Sequence, residues 1–191
     1  VVDVADGRGG RKVVSVANAS APAQVGSVAL SGIQRDVAVQ GGVAYLADQM
    51  GRLVTVDVAT PTAPRQLGAV TIGRYAYGVA VEGTRAVMYS ADSTAYLDVL
   101  DLATPATPVV LGSGAGGAAG GIKGLAVRGG RAFVASAAQR IRVYSLATPS
   151  APTQLGIGYT VGAANDVAAG SGAAFVADAA AGIAIVDLYA N

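Results

Sequence analysis

A β-rich run closed by two prolines, Leu53-Val54-Thr55-Val56-Asp57-Val58-Ala59-Thr60-Pro61-Thr62-Ala63-Pro64, returns down the chain with small changes. Near-copies close at Pro22, Pro108 and Pro152, and a truncated copy reads Ile185-Val186-Asp187-Leu188. The second prolines of successive copies are 42, 44 and 44 residues apart. A repeat of that length, written in strand-like rather than helix-like phrases, is one supersecondary unit that cannot bury both of its faces alone. Stacking such units around an axis buries them, so the period predicts an all-β fold, a β-propeller of four-stranded blades.

Within the second copy the strands follow from alternation and turn residues. Arg35 to Val39 reads as a strand, Gly41-Gly42 as its turn, Val43 to Ala47 as the return, and Arg52 to Val58 as a third strand after the turn at Asp48-Gln49-Met50-Gly51. Proline cannot donate to a central ladder, so the segment that follows Pro64 is placed at the outer edge. Applied throughout, the template divides one domain, 1–191, into repeats of approximately 1–32, 33–74, 75–120, 121–162 and 163–191. About five blades are represented, three complete and two partial: the first lacks its inner strand and the last its outer strand. The interval from Gly78 to Gly124, 46 residues against 42 from Asp36 to Gly78, is lengthened by the run Gly112 to Gly121, which reads as a solvated Gly/Ala connector. The chain opens at Val1 without a methionine and stops in mid-phrase at Asn191, as a mature or excised piece would, so a signal peptide is not in this chain.

Composition bears on what such a fold can do. Hydrophobic residues make up 52% of the chain but aromatics only 5%, with no Trp, which calls for thin, closely packed layers rich in Ala and Val. Thirteen basic and twelve acidic residues leave a net charge of +1 with no basic stripe, so nucleic acid is not an implied partner. No apolar run approaches the ~20 residues of a membrane span. Cysteine and histidine are both absent. That removes disulfides, thiolate nucleophiles, the usual general base near neutral pH and the commonest metal ligand.

The phrases Asp36-Val37-Ala38-Val39, Ala44-Tyr45-Leu46-Ala47-Asp48, Leu53 to Val58 and Pro61-Thr62-Ala63-Pro64 together resemble the LVIVD-repeat family of bacterial and archaeal β-propellers. The namesake phrase is kept best in Ile183-Ala184-Ile185-Val186-Asp187 and is degraded in the fourth copy, where Ser145 replaces the Asp. What the resemblance implies is an exported or surface-attached propeller, often one module of a larger protein, with no general activity assigned to the repeat.

Carboxylates are the only acid–base or metal-binding machinery, and most fall at repeat-equivalent positions, which points to structure. Asp6, Asp48, Asp92 and Asp178, with Ser136 as the fourth counterpart, follow the second strand, where Asp caps turn amides. An acidic rim holding Ca2+ is the minority reading and is not favoured, because no copy has the dense Asp-x-Asp-x-Asp spacing of a single-loop site. No metal or cofactor is expected. Asp57, Asp101 and Asp187 lie within third strands, where a hydrogen bond to a neighbouring blade's turn is expected rather than catalysis; Ser15 and Ser145 share that slot and have no histidine to activate them. Gly7-Arg8-Gly9-Gly10 and Gly170-Ser171-Gly172 lack the Lys-Ser/Thr ending of a phosphate loop and read as hairpin turns.

In a propeller the first strand of each blade lines the central channel, so residues entering those strands converge on one mouth. Arg35, Asp36, Tyr77, Lys123, Asn165 and Asp166 occupy these places, and they vary between copies while their Val-Ala-Val continuations do not. They are the candidate ligand-binding residues; no catalytic residue is assigned. The expected function is that of a non-enzymatic extracellular or cell-surface module for binding and assembly, with a protein or further copies of itself as partner. The competing expectation is a carboxylate-dependent hydrolase or lyase acting on glycans at the channel mouth, which requires two facing carboxylates; only Asp36 and Asp166 enter inner strands.

Overall fold

The computed structural model describes residues 1–117, 121–138 and 140–187. Among them the chain is entirely strands and turns, eighteen strands in five antiparallel sheets, and no helix is long and apolar enough to cross a membrane. The first sheet holds β1 (Val2–Ala5), β2 (Arg11–Ser15) and β3 (Ala23–Val28). The second runs β4 (Gln34–Gln40), β5 (Val43–Asp48), β6 (Arg52–Asp57) and β7 (Arg65–Thr71). The third runs β8 (Tyr75–Glu82), β9 (Arg85–Ala91), β10 (Ala95–Asp101) and β11 (Val109–Gly117). The fourth runs β12 (Ile122–Arg128), β13 (Arg131–Ser136), β14 (Arg140–Ser145) and β15 (Thr153–Tyr159). The last holds β16 (Ala164–Ala169), β17 (Ala173–Asp178) and β18 (Gly182–Asp187).

Each sheet is a meander in chain order, because connections of two to seven residues return each strand beside its predecessor. The proline-led strands β7, β11 and β15 lie at sheet edges, where a missing backbone donor is tolerated. The Gly run does not begin as a connector: residues 112–117 complete the outer strand β11, and residues 118–120 lie outside the described residues. Small residues extend the ladder there because the strand needs only backbone hydrogen bonds and a face thin enough to sit under the next blade.

The sheets pack in series, with β1 against β4, β4 against β8, β8 against β12 and β12 against β16. The core therefore lies between sheets as four separate layers. Leu30 meets Leu46, Val54 and Val56; Tyr45 and Leu53 meet Met88 and Leu100; Leu97 and Val99 meet Val134 and Tyr144; Phe133 and Ile141 meet Val167 and Val176. Alanines such as Ala44, Ala86, Ala132 and Ala174, all fully buried, let the sheets come together. One layer departs from the apolar pattern. Asp3 and Arg11 hold, in the first sheet, the places that Tyr45 and Leu53 hold in the second, and form a buried ion pair in which burial lowers the Arg11 guanidinium to a pKa of about 10.

Polar side chains add clamps between consecutive sheets. Gln40, at the end of β4, donates to the Gly83 carbonyl (2.6 Å) and accepts from the Gly83 amide (3.1 Å) in the next sheet's first hairpin. Glu82, at the same place in β8, accepts from the Gly129 and Gly130 amides at 2.8 and 3.2 Å.

Candidate functional site

The inner strands β4, β8, β12 and β16 stand side by side, and each is interrupted at the same point. The ladder to the second strand skips one residue between Gln34 and Asp36, between Ala76 and Gly78, between Ile122 and Gly124, and between Ala164 and Asp166. The extra residues are Arg35, Tyr77, Lys123 and Asn165. A bulge bends the strand and re-aims the side chain it carries. Four bulges in register therefore turn four different side chains toward one opening.

That opening is a cavity of about 560 Å³, and Arg35, Asp36, Tyr77, Lys123, Asn165 and Asp166 all line it. Every residue singled out from strand entry alone is thus brought together. Val37, Val79, Leu125 and Val167 form its apolar floor. Tyr89, on the second strand β9, also lines it, its ring centroid 6.0 Å from that of Tyr77. Burial, and secondarily the neighbouring Tyr77, push the Tyr89 phenol above its ordinary pKa, so it stays a neutral donor. Nothing in the strand-entry pattern marks Tyr89; only the packing of β9 behind β8 brings it in.

The two carboxylates of the mouth are engaged differently. Asp36 accepts from the Val37 amide with Oδ1 (2.8 Å) and from the Val79 amide of the adjacent sheet with Oδ2 (2.9 Å), tying two inner strands together. Asp166 accepts from its own following amide, Val167, at 2.8 Å. Glycines hold the corresponding places in β8 and β12, and a Cβ on Gly124 would overlap Asp166. Arg35 is steadied by Gln49, whose Oε1 accepts from the guanidinium Nε at 2.8 Å. Lys123 is exposed and forms no ion pair with a described residue.

Three further carboxylates serve turns. Asp48 accepts from the amides of Ile33 (3.2 Å) and Met50 (3.0 Å) and from Arg52 Nε (2.9 Å). Asp178 accepts from the amides of Gly162, Ala180 and Ala181 at 3.0, 2.8 and 3.0 Å, and these bonds, Gly162 first, hold its carboxyl below the usual range. Asp92 accepts from the Thr94 amide at 2.9 Å, which lowers its carboxyl likewise. In the third sheet, however, the place of Asp48 is held by Ser90, and the carboxylate that Ser90, Arg74 and Ser113 converge on is Asp98, fully buried on β10. No repeat-wise comparison singles Asp98 out, because it stands where the second sheet has Val54. Arg74 also lies over the Tyr96 ring at 4.2 Å.

The expectation for Asp57 and Asp101 needs correction. Both bond within their own blade: Asp57 Oδ1 accepts from the Ala59 amide (3.1 Å) and Asp101 Oδ1 from the Ala103 amide (2.9 Å). Ser15 and Ser145 accept from Ala17 and Ala147 in the same way, at 3.4 and 3.3 Å. An Asx or Ser turn two residues long launches the proline turn, and its short reach keeps the oxygen at home. Among the described residues no group of three carboxylates is placed to hold a metal ion.

A family model described as LVIVD repeat matches residues 31–71, 73–114 and 161–190. The fourth blade, where Ser145 replaces the Asp, falls outside these matches. No sequence among the curated proteins matches the chain. Similar solved structures include the computationally designed Ika8 protein, with a TM-score of 0.71 at 13% identity, covering 97% of this chain and 55% of that one. The designed Ika4 protein has a TM-score of 0.65 at 12% identity, over 85% of this chain and 96% of that one. BamB from Moraxella catarrhalis has a TM-score of 0.63 at 13% identity, over 88% and 49%. These likenesses show the propeller fold. The chain spans about half the length of Ika8 and of BamB.

Proposed function

The chain belongs to the LVIVD-repeat family, and on that footing we propose that it is a non-enzymatic binding module, exported to the cell surface or beyond, whose ligand enters the channel mouth. The observation that carries this reading is the row of four aligned bulges, which presents Arg35, Tyr77, Lys123 and Asn165 to one cavity. A common scaffold with a different side chain at each equivalent place is suited to recognition of an asymmetric polar ligand. Asp36 supports a binding rather than a catalytic role, since both of its oxygens already accept backbone amides and hold two blades together. Export is supported by the family resemblance.

The test is a titration of the chain with soluble surface polysaccharides and peptides, followed by calorimetry. Saturable binding that is lost in Tyr77→Ala and Lys123→Ala, with unchanged urea midpoints, is expected. Turnover of a glycan that disappears in Asp36→Asn or Asp166→Asn would reverse the reading in favour of a hydrolase or lyase.

A second observation favours assembly as part of the role. Phe175 and Ile183 are 45% and 72% exposed on the last sheet, whereas their counterparts Tyr45 and Leu53 are 4% and 0% exposed beneath the third. On the opposite end, Val2 and Val4 of the first sheet are uncovered where Ala44 and Leu46 are fully buried. The two end faces are thus the two halves of the contact that every internal pair of blades makes, and a second copy stacked end to end would cover both.

A further inference from the structure

The charges at the mouth end of the sheets are sorted by depth. Asp48, Ser90 and Asp178 pair with Gln34, Ala76 and Ala164, the residues that precede three of the bulges. The carboxylates gathered there, Asp48, Asp178 and the Asp98 that Ser90 bonds, therefore share the mouth's end of the fold, and all three are buried. Asp48 and Asp98 are matched by Arg52 and Arg74, and Asp178 by three backbone amides. Asp36, in the mouth itself, has both oxygens on amides. Arg35 and Lys123, by contrast, are exposed and form no ion pair with a described residue. The side chain that steadies Arg35 is the neutral Gln49, which leaves its charge uncompensated. A formal charge of only +1 thus conceals a mouth whose outward-facing charge is chiefly positive, opposed by Asp166, of which Oδ1 is taken by the Val167 amide.

Tyr77 stands between the two cations, because β8 lies between β4 and β12 in the packing order, and each of these three blades has a described blade on both sides. Its ring is 42% exposed and is supported by Tyr89, tilted 36° to it at a centroid distance of 6.0 Å. An aromatic ring offers an apolar face with a polar tip at its edge. Set between two exposed cations, it complements a ligand that is itself two-faced, with C–H groups across a ring and anionic groups at the margin. A nucleic acid strand calls for a succession of stacking rings along its path, whereas the bulges supply one, the other three carrying Arg35, Lys123 and Asn165.

We propose that the mouth selects an acidic saccharide, one sugar ring packing its C–H face on Tyr77 while carboxylates of that ring and its neighbour meet Arg35 and Lys123. Asn165, neutral and able both to donate and to accept, serves the hydroxyls beyond Lys123. The proposal rests on the reading of the mouth as a binding site and adds to it the class of ligand.

The test is calorimetric titration of the 191-residue chain with tetramers of galacturonic and of glucuronic acid, with their methyl esters, and with tetraglutamate. Saturable binding of an acidic tetramer is expected, weakened about tenfold or more on esterification. Lys123→Gln should weaken it about tenfold and flatten its dependence on salt concentration. Tyr77→Phe should keep the affinity and Tyr77→Ala lose it, with urea midpoints unchanged. Asp166→Asn retains the acceptor for the Val167 amide but removes the opposing charge, so it should tighten the acid and leave the ester unaffected. Equal binding of acid and ester, lost in Tyr77→Ala, would overturn the acidic class and leave the mouth standing as a binding site. Acid binding indifferent to both Tyr77→Ala and Lys123→Gln would overturn the proposal and the mouth together. Tetraglutamate binding as tightly as the sugars would show that charge alone is read, and no saturable binding of either acidic tetramer would also overturn the proposal.

Discussion

Asp36 does for the inner strands what a backbone cannot, because its two oxygens reach one amide in β4 and one in β8. Removing it leaves the Val79 amide without that partner, so Asp36→Ala should lower stability by about 1–3 kcal/mol, measured by urea unfolding. Asp166→Ala, which loses only a bond to the next residue, should cost less. The pair Asp3 and Arg11 gives a sharper test. Asp3→Ala leaves a buried guanidinium uncompensated, for a cost of about 3–5 kcal/mol, while the double change Asp3→Tyr with Arg11→Leu copies the Tyr45 and Leu53 arrangement and should be neutral or stabilising. A double-mutant cycle checks both statements. Asp178 ties its turn to stability through pH. Because its folded pKa lies below the ordinary carboxylate value, its contribution is present above about pH 4 and is lost as the pH falls below that range. The urea midpoint of Asp178→Asn should accordingly lie below that of the wild type at neutral pH, and the two should converge in acid.

At the scale of the element, the outer strand of one blade and the proline turn of the next form the joint between blades. Gly68→Val places a branched side chain where the Ala106 carbonyl stands, and backbone on both sides leaves no flexible neighbour to yield. It should destabilise the fold by about 1–3 kcal/mol or more, seen as a lower urea midpoint with an unchanged slope. Periodicity alone marks Gly68 only as a repeated glycine, since the reason for it lies 38 residues downstream in another sheet. The bulges of the inner strands are a similar case. The variable residues at strand entry are readable from the repeats, but the skipped pairing that aims them depends on how the second strand lies alongside.

At the largest scale, the decisive feature is that the five sheets of the described residues pack in series and leave an uncovered face on the first and on the last. Burying one Ile or Phe side chain contributes about 1.5–3 kcal/mol, so an apolar face as exposed as that of Phe175, Ile183 and Ile185 favours association. Sedimentation of the wild-type chain should show concentration-dependent self-association, and Ile183→Lys should abolish it without lowering the urea midpoint. A chain that stays monomeric at high concentration would set aside the end-to-end assembly.

The recurrence of the proline-closed phrase determined by itself that the chain is all-β and that it is built of about five blades, three of four strands and two of three among the described residues, because period-2 alternation and turn chemistry are local properties. It also determined which six residues enter the inner strands. The partners of the carboxylates were decided only in three dimensions: Asp36 reaches across to Val79, whereas Asp57 and Asp101 stay within their own turns. Tertiary structure alone likewise placed Tyr89 in the mouth, Asp98 in a buried cluster and Arg11 beneath the second sheet. The physical reason is common to all of them. A side chain's direction is set by its own strand, but its surroundings are set by a sheet about forty residues away, and the distance and angle between sheets come from the summed packing of Ala, Val and Gly faces rather than from any one phrase.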